Sequence, residues 1–146
     1  MNIRIKKVQK NAQLPEYQTV GAAAVDLHAC IDESITLPAG KTAIIPTGIA
    51  IELPEGVEAQ VRARSGFAAK NAIGLANGIG TIDTDYRGEI AAILINWGDH
   101  DFVVEPQMRI AQMVIARYET VTWDLVDELT ESGRNLKKFG STGLAS

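Results

Sequence analysis

Short apolar or alternating runs recur along this chain, and Pro and Gly interrupt them. Residues 3–8 alternate; further runs cover 25–31, 34–37, 41–45, 49–53, 57–62, 90–97, 101–104, 110–118 and 121–126. Strict alternation marks a half-buried strand, and a short continuous apolar run fits a fully buried one. Turn signals separate the runs: Pro38-Ala-Gly40, Pro46-Thr-Gly48, Pro54-Glu-Gly56, Gly98-Asp99 and Glu105-Pro106. Many short strands about ten residues apart predict an all-β sandwich, jelly roll or barrel. No long segment carries helical periodicity. One short helix is predicted over 65–71, with Ser65 placed to cap its N-terminus. Residues 1–131 read as a single β domain, and residues 132–146, rich in Gly, Ser and basic side chains, as a flexible C-terminal tail.

Composition narrows this picture. The 146 residues have the length of one domain and can bury a real core. Apolar residues make up 46% but aromatics only 5%, so small and β-branched side chains must fill most of that core. A net charge of −4 argues against a general nucleic-acid binder, which would usually be basic. The N-terminus alternates and is charged, and no apolar run is long enough for a membrane span, so neither a signal nor a membrane partner is expected. Cys30 is the only cysteine, which excludes an internal disulfide, fits a reducing compartment such as the cytoplasm, and reads as a buried structural thiol.

Five segments carry candidate chemistry. In 77–89, Asp83 and Asp85 stand two apart on a stretch that reads as strand, which would put both carboxylates on one face. Gly78, Gly80 and Gly88 surround them, Tyr86 and Arg87 follow, and bare backbone lets a ligand approach closely. An ordinary hairpin with turn acids has the same signature. In 62–66, Arg64, Ser65 and Gly66 open the predicted helix, where amides, a hydroxyl and a guanidinium suit an anion; a capped helix with solvated arginines also fits. Gln112 is a polar amide in an apolar run, placed either for a ligand or to satisfy neighbouring backbone. The tail sets Phe139 among Arg134, Lys137, Lys138, Gly140 and Ser141, suited to closing over a nucleotide or to remaining disordered. Asp26 interrupts an apolar strand, where it helps hold a metal or fixes a nearby Arg. His28 and His100 show no metal-ligand spacing.

These segments, in this order and spacing, resemble the five motifs of the trimeric dUTPase family over about residues 14–143. R-S-G at 64–66, G-x-I-D-x-D-Y-R-G-E at 80–89, R-I-A-Q at 109–112 and F-G-S-T-G at 139–143 carry the resemblance. The chain departs from the pattern at Ala63, where Pro is usual, and at Asn135–Lys138, which replace glycine-rich sequence. The resemblance implies a jelly-roll-like distorted β-barrel with one short helix after the Arg-Ser-Gly motif. It also implies a homotrimer with active sites at subunit interfaces. The implied reaction is hydrolysis of dUTP to dUMP and pyrophosphate with Mg²⁺ on the triphosphate, which limits uracil incorporation into DNA and supplies dUMP for dTMP synthesis. By position, Asp83 would activate the water that attacks the α-phosphate. Asn77, Gly80, Thr81, Ile82 and Ala91 would line uracil and sugar, and Tyr86 would pack on deoxyribose. Arg64, Ser65, Gly66 and Gln112 would hold the phosphates, with Arg134 reaching the γ-phosphate. Phe139 would stack on uracil, Gly140 and Ser141 would close the lid, and Asp26 would sit near the metal through water. Read from the residues themselves, Asp85 is either a second catalytic acid or, the favoured expectation, a structural ion-pair partner of an Arg. Two other readings are a dCTP deaminase-related enzyme of the same fold and a non-catalytic nucleotide-binding regulator.

Overall fold

The computed structural model describes residues 1–132. In chain order their elements are β1 (Arg4–Lys7), β2 (Val25–His28), β3 (Ile35–Leu37), β4 (Thr42–Pro46), β5 (Ile49–Glu52), β6 (Val57–Arg62), α1 (Ser65–Asn71), β7 (Ile73–Leu75), β8 (Ile79–Ile82), β9 (Ala91–Asn96), β10 (Phe102–Val104) and β11 (Arg109–Arg117). All strand pairs are antiparallel. Four strands form one sheet in the order β2-β11-β6-β8, three form another in the order β4-β9-β7, and β1-β5 and β10-β3 are two-stranded. This is the expected distorted jelly-roll-like barrel, left open rather than closed into one ring of strands.

The strands follow from alternation. Along β6 the side chains of Val57, Ala59 and Val61 are buried while Glu58, Gln60 and Arg62 face outward, the period of two that an extended chain imposes. Along β9, Ala92 and Leu94 turn inward. They meet Leu27, Leu37, Ile45, Ile49, Ile73, Ile90, Val104 and Ile110, all essentially without exposure. Each such aliphatic side chain contributes about 1.5–3 kcal/mol through burial. Asn96 is the one large polar side chain among them, fully buried and fully satisfied. Its Nδ2 donates to the carbonyls of Leu37 (3.0 Å) and His100 (2.8 Å), and its Oδ1 accepts from the Gly98 amide (2.9 Å).

The turn between β4 and β5 matters for the site. Gly48 has φ +72°, and a Cβ there would lie 2.6 Å from both Ala12 Cβ and Cys30 Sγ. Glycine alone fits this left-handed, crowded position. Gly40 and Gly56, in the other two Pro-x-Gly signals, also have positive φ, so all three turn expectations are met.

Four expectations are corrected. Residues 121–126 form no strand: Trp123 and Leu125 are 93% and 99% exposed, because the alternating pattern finds no strand partner among the described residues. Ser65 does not cap α1; Arg64 is the N-cap residue, without a side-chain cap bond, and Ser65 is the first helical residue. Asp83 and Asp85 lie past the end of β8 in a turn rather than on a strand. Finally, 73–75 form β7, hidden in the sequence by Gly74. That glycine is required by packing, since a Cβ would meet the Trp97 ring at 2.2 Å.

Candidate active site

The hairpin of 77–89 builds one wall of a cleft of about 310 Å³. Asn77, Gly80, Thr81, Ile82, Asp83, Tyr86 and Ala91 line it, together with Val61, Ile44, Ile93 and Glu89. Seven of the residues singled out in the sequence therefore meet in one place. Among the described residues β8 is the edge of its sheet, paired only with β6. Alternate N–H and C=O groups of an edge strand point away from its partner, so β8 offers bare backbone to whatever fills the cleft. Gly78 (φ +71°) donates its amide to Leu75 O at 3.0 Å and turns the chain into β8. Gly80 is tightly held, since a Cβ there would lie 3.3 Å from both Asn77 Nδ2 and Val61 Cβ.

Past Ile82 the chain makes a tight turn in which the Tyr86 amide donates to Asp83 O at 3.2 Å. Arg87 braces this turn by donating to the carbonyls of Thr84 (2.6 Å) and Tyr86 (2.9 Å). The Asp83 carboxylate forms no hydrogen bond or ion pair among the described residues and lines the cleft, open to a ligand or water. Asp85 likewise pairs with no cation among the described residues, so the expected Arg ion pair is not found; Arg87 is turned to backbone carbonyls instead. The Tyr86 ring lies on Gly88, where a Cβ would sit 2.4 Å from its Oη, and the hydroxyl donates to Glu89 O at 2.9 Å.

A second cluster forms where β2, β11 and β6 run side by side. Asp26 and Arg62 both pair with Gln112, so the three share a face of the sheet. The Asp26 carboxylate meets Arg64 Nε at 3.0 Å and Arg109 Nη1 at 3.4 Å. Arg64 also donates through Nη1 to Arg109 O at 2.9 Å, and its guanidinium lies 5.8 Å above the Phe67 ring. Phe67 is itself held edge-on by Phe102 at 5.4 Å. Arg64 is thus fixed by a carboxylate, a carbonyl and an aromatic face before any ligand arrives. Of the two readings of Asp26, the fixing of a nearby Arg is directly visible. Gln112 Nε2 donates to Ala63 O at 2.8 Å, which holds the strand end leading to Arg64. The amides of Ser65 and Gly66 are exposed at the start of α1, as the first amides of a helix lack intrahelical partners.

His28 follows Asp26 on the same face. Its pKa is held below the ordinary 6.5, first by burial and then by the charge of Arg109, and its Nδ1 is buried without a partner among the described residues. Burial also raises the Cys30 thiol, with Glu89 and Asp32 adding to the effect. Cys30 Sγ donates to Gln9 Oε1 (3.3 Å) and Asn11 Oδ1 (3.1 Å), as a structural thiol should.

The cleft that holds Asp83 is lined by none of Asp26, Arg64, Ser65, Gly66 or Gln112. One chain thus presents the Asp83 cleft and the Asp26–Arg64–Arg109 cluster as separate constructions. Arg134, Phe139, Gly140 and Ser141 lie outside the described residues. Sequence reasoning overlooked Glu89, whose carboxylate joins the hairpin to the Gly48 turn; only its place after Gly88 hinted at this.

No group of three or more His, Cys, Asp or Glu suited to a metal occurs among the described residues. The described residues therefore offer no all-protein cage. A magnesium ion commonly keeps several waters and takes one or two carboxylates plus substrate phosphates; Asp26, with both oxygens already paired to Arg64 and Arg109, fits such an ion only through an intervening water. No helix among the described residues is long and apolar enough to cross a membrane.

Comparison with known proteins places this arrangement. The family profile described as dUTPase matches residues 10–143. The deoxyuridine 5'-triphosphate nucleotidohydrolase of Rickettsia felis is 53% identical over 143 residues, covering 97% of each chain. The protein of the same name from Orientia tsutsugamushi (strain Ikeda) is 49% identical over 147 residues, covering 99% of each. Among solved structures, a Staphylococcus bacteriophage 80alpha dUTPase point mutant with dUpNHpp aligns with a TM-score of 0.89 at 26% identity, over 98% of this chain and 99% of that one. A dUTPase mutant from phage phi11 of S. aureus, described with a structural Mg(II) ion, shares the fold at a TM-score of 0.81 and 20% identity, over 90% of this chain and 100% of that one. A cleft edged by bare β8 backbone, an arginine cluster at the R-S-G turn and these full-length likenesses agree, and the chain belongs to the dUTPase family.

Proposed function

We propose that this protein is a dUTP diphosphatase that hydrolyses dUTP to dUMP and pyrophosphate. The observation that carries the reading is the cleft in which Asn77, β8 backbone, Tyr86 and an unengaged Asp83 carboxylate converge. Uracil presents acceptor, donor, acceptor along one edge, and the Asn77 amide with the outward groups of β8 is the complement. Cytosine presents a donor where a donor already waits. Sites built on such hydrogen bonds reject a mismatched analogue by roughly 10⁴–10⁵. Tyr86 packs on the deoxyribose and leaves no room for a 2′-hydroxyl, and Ala91 adds a backbone contact. Asp83 orients a water and takes its proton as the water oxygen bonds to the α-phosphorus; the α–β bridging P–O bond breaks and pyrophosphate leaves. Arg64, Ser65, Gly66 and Gln112 hold the phosphate chain, with Arg64 pre-set by Asp26 and Phe67. Catalysis of this kind rests mostly on positioning and charge neutralisation. Asp26 would hold Mg²⁺ through water, and the bound ion would supply further neutralisation of the phosphate oxygens.

The functional unit is a homotrimer in the cytoplasm. The anion cluster and the uracil cleft are separate in one chain, so the site is completed between subunits. The exposed Trp123, Leu125 and Leu129 supply apolar surface for such assembly. Residues 132–146 form the tail beyond the β domain, with Arg134 on the γ-phosphate, Phe139 over uracil, and Gly140 and Ser141 closing the lid. Pyrophosphate release measured across dUTP, dTTP, dCTP and UTP tests the reading: turnover of dUTP alone is expected, and ammonia release from dCTP would replace it with a deaminase. Asp83→Asn is expected to keep fold and nucleotide binding while lowering single-turnover rates by about 10²–10⁴-fold. Near-parental rates would remove Asp83 from the mechanism.

A further inference from the structure

We propose that Glu89 is a positioning residue for Tyr86 and, through it, for discrimination at the 2′ position of the sugar; this rests on the reading of Tyr86 as the deoxyribose gauge.

Tyr86 is 43% exposed, so bulk packing does not fix its ring. Two local contacts do: the bare Gly88 backbone beneath it and the hydrogen bond from its hydroxyl to Glu89 O at 2.9 Å. The ring can be no better placed than the 88–89 backbone under it, and the Glu89 side chain anchors that backbone. Its Oε1 accepts from the Gly48 amide at 2.7 Å and from Gln9 Nε2 at 2.9 Å. Both are hydrogen bonds to a carboxylate, roughly twice as strong as neutral ones.

The anchor points are themselves rigid. Gly48 is wedged against Ala12 and Cys30, and its carbonyl accepts from the amides of Val8 (2.8 Å) and Gln9 (3.3 Å). Gln9 Oε1 accepts from the Cys30 thiol. On the other side Ile90 is clamped to the same turn, its carbonyl accepting from Thr47 Oγ1 at 2.6 Å and its amide donating to Ile49 O at 2.9 Å. Glu89 is the point where the hairpin, the Gly48 turn and the N-terminal segment meet. β9 is held by its pairing with β4 and β7 and by the Ile90 bonds to the Gly48 turn; the Glu89 carboxylate carries the constraint one residue further back, to the carbonyl that Tyr86 uses. Among the described residues no other hydrogen bond ties 86–88 to the core, since Arg87 bonds only within the turn.

The test measures kcat/KM for dUTP and for UTP in Glu89→Ala, Glu89→Gln, Tyr86→Ala and Tyr86→Phe, and in Glu89→Ala combined with Tyr86→Phe. Glu89→Ala is expected to lower the dUTP:UTP ratio about tenfold, the size set by one hydrogen-bond contact. Glu89→Gln keeps an oxygen acceptor for the Gly48 amide and Gln9 and is expected to restore most of the ratio. In the Tyr86→Phe background, which lacks the hydroxyl, Glu89→Ala is expected to change the ratio less than it does alone. An unchanged ratio in Glu89→Ala, equal losses in the Ala and Gln variants, or full additivity with Tyr86→Phe would each overturn the inference. If Tyr86→Ala leaves the ratio unchanged, the reading of Tyr86 is what fails. Should Glu89→Ala not fold, Gln9→Ala removes one of the two donors while leaving the carboxylate; a smaller shift in the same direction supports the anchor, and no shift overturns it.

Discussion

Adding one methyl group at Gly88 should separate the site from the fold. The Cβ of Gly88→Ala would lie 2.4 Å from Tyr86 Oη, 2.6 Å from Cζ and 3.0 Å from Cε2. Comfortable contact needs about 3.5 Å, so the ring must retreat by roughly 1 Å. Overpacking in a closed core would cost about 1–3 kcal/mol. Here the obstructed group is the far end of a side chain that is 43% exposed, so it can swing outward and relieve most of that strain. What remains is the loss of the bond from the Tyr86 hydroxyl to Glu89 O, about 0.5–1.5 kcal/mol. For a chain of this size that lowers Tm by about 2–6 °C. The site should suffer much more, because a misplacement of about 1 Å in a binding wall costs up to about 10²-fold in rate. Differential scanning fluorimetry and steady-state pyrophosphate release on dUTP and UTP measure the two effects together. The expected result is a small Tm shift with kcat/KM for dUTP down about 10–100-fold and the preference over UTP weakened. A large loss of Tm with an unchanged dUTP:UTP ratio would show that Gly88 serves the backbone and not the ring, and would refute the reasoning.

Asp26→Asn should leave Arg64 and Arg109, with side chains 29% and 48% exposed, without their shared countercharge. Partial exposure reduces the penalty well below that of a buried pair, to about 1 kcal/mol, and KM for dUTP should rise as Arg64 loses its anchor; unchanged melting and KM would exclude the anchoring role. Gly48→Ala combines a φ of +72° with two contacts at 2.6 Å against buried neighbours, and should destabilise by about 2–4 kcal/mol in chemical denaturation. A loss under about 1 kcal/mol would mean that the turn relaxes freely. His28 is held below its ordinary value of 6.5, chiefly by burial, so the unfolded chain binds a proton more readily than the folded one. That contribution to stability is present above pH about 6.5 and is lost as the pH falls through the folded value. Between pH 7.5 and 5.5, His28→Gln should therefore lose less Tm than the parent protein; parallel losses would refute the assignment.

Much of the β architecture is legible locally. Alternation along 57–62 and Pro-x-Gly turns at 38–40, 46–48 and 54–56 are short-range signals, and the strands and turns form where they stand. Short-range signals fail where an element depends on a distant partner. The apolar alternation of 121–126 is as good as that of other strands, yet without a neighbouring ladder it stays extended and exposed. The Ile-Gly-Leu of β7 is a poor strand by composition, and it forms because β9 pairs with it and Trp97 needs the space over Gly74.

The candidate site divides along the same line. Residue types and their order determined by themselves which chemical groups the chain carries in its motifs: Asp83 and Tyr86 in one hairpin, Arg64 at a helix start, Gln112 in an apolar strand. Chemistry of that kind is local, because a carboxylate or a guanidinium keeps its character wherever the fold puts it. Only the tertiary structure decided how each is held. Asp83 and Asp85 part company because the chain leaves β8 at Ile82 and turns, ending the two-residue period that would have aligned them. Asp26 becomes the anchor of two arginines because β2 and β11 pair in one particular register. Glu89 reaches Gly48 and Gln9 across 41 and 80 residues of sequence. Contacts over such separations depend on strand pairing and core packing, which no window of neighbouring residues encodes.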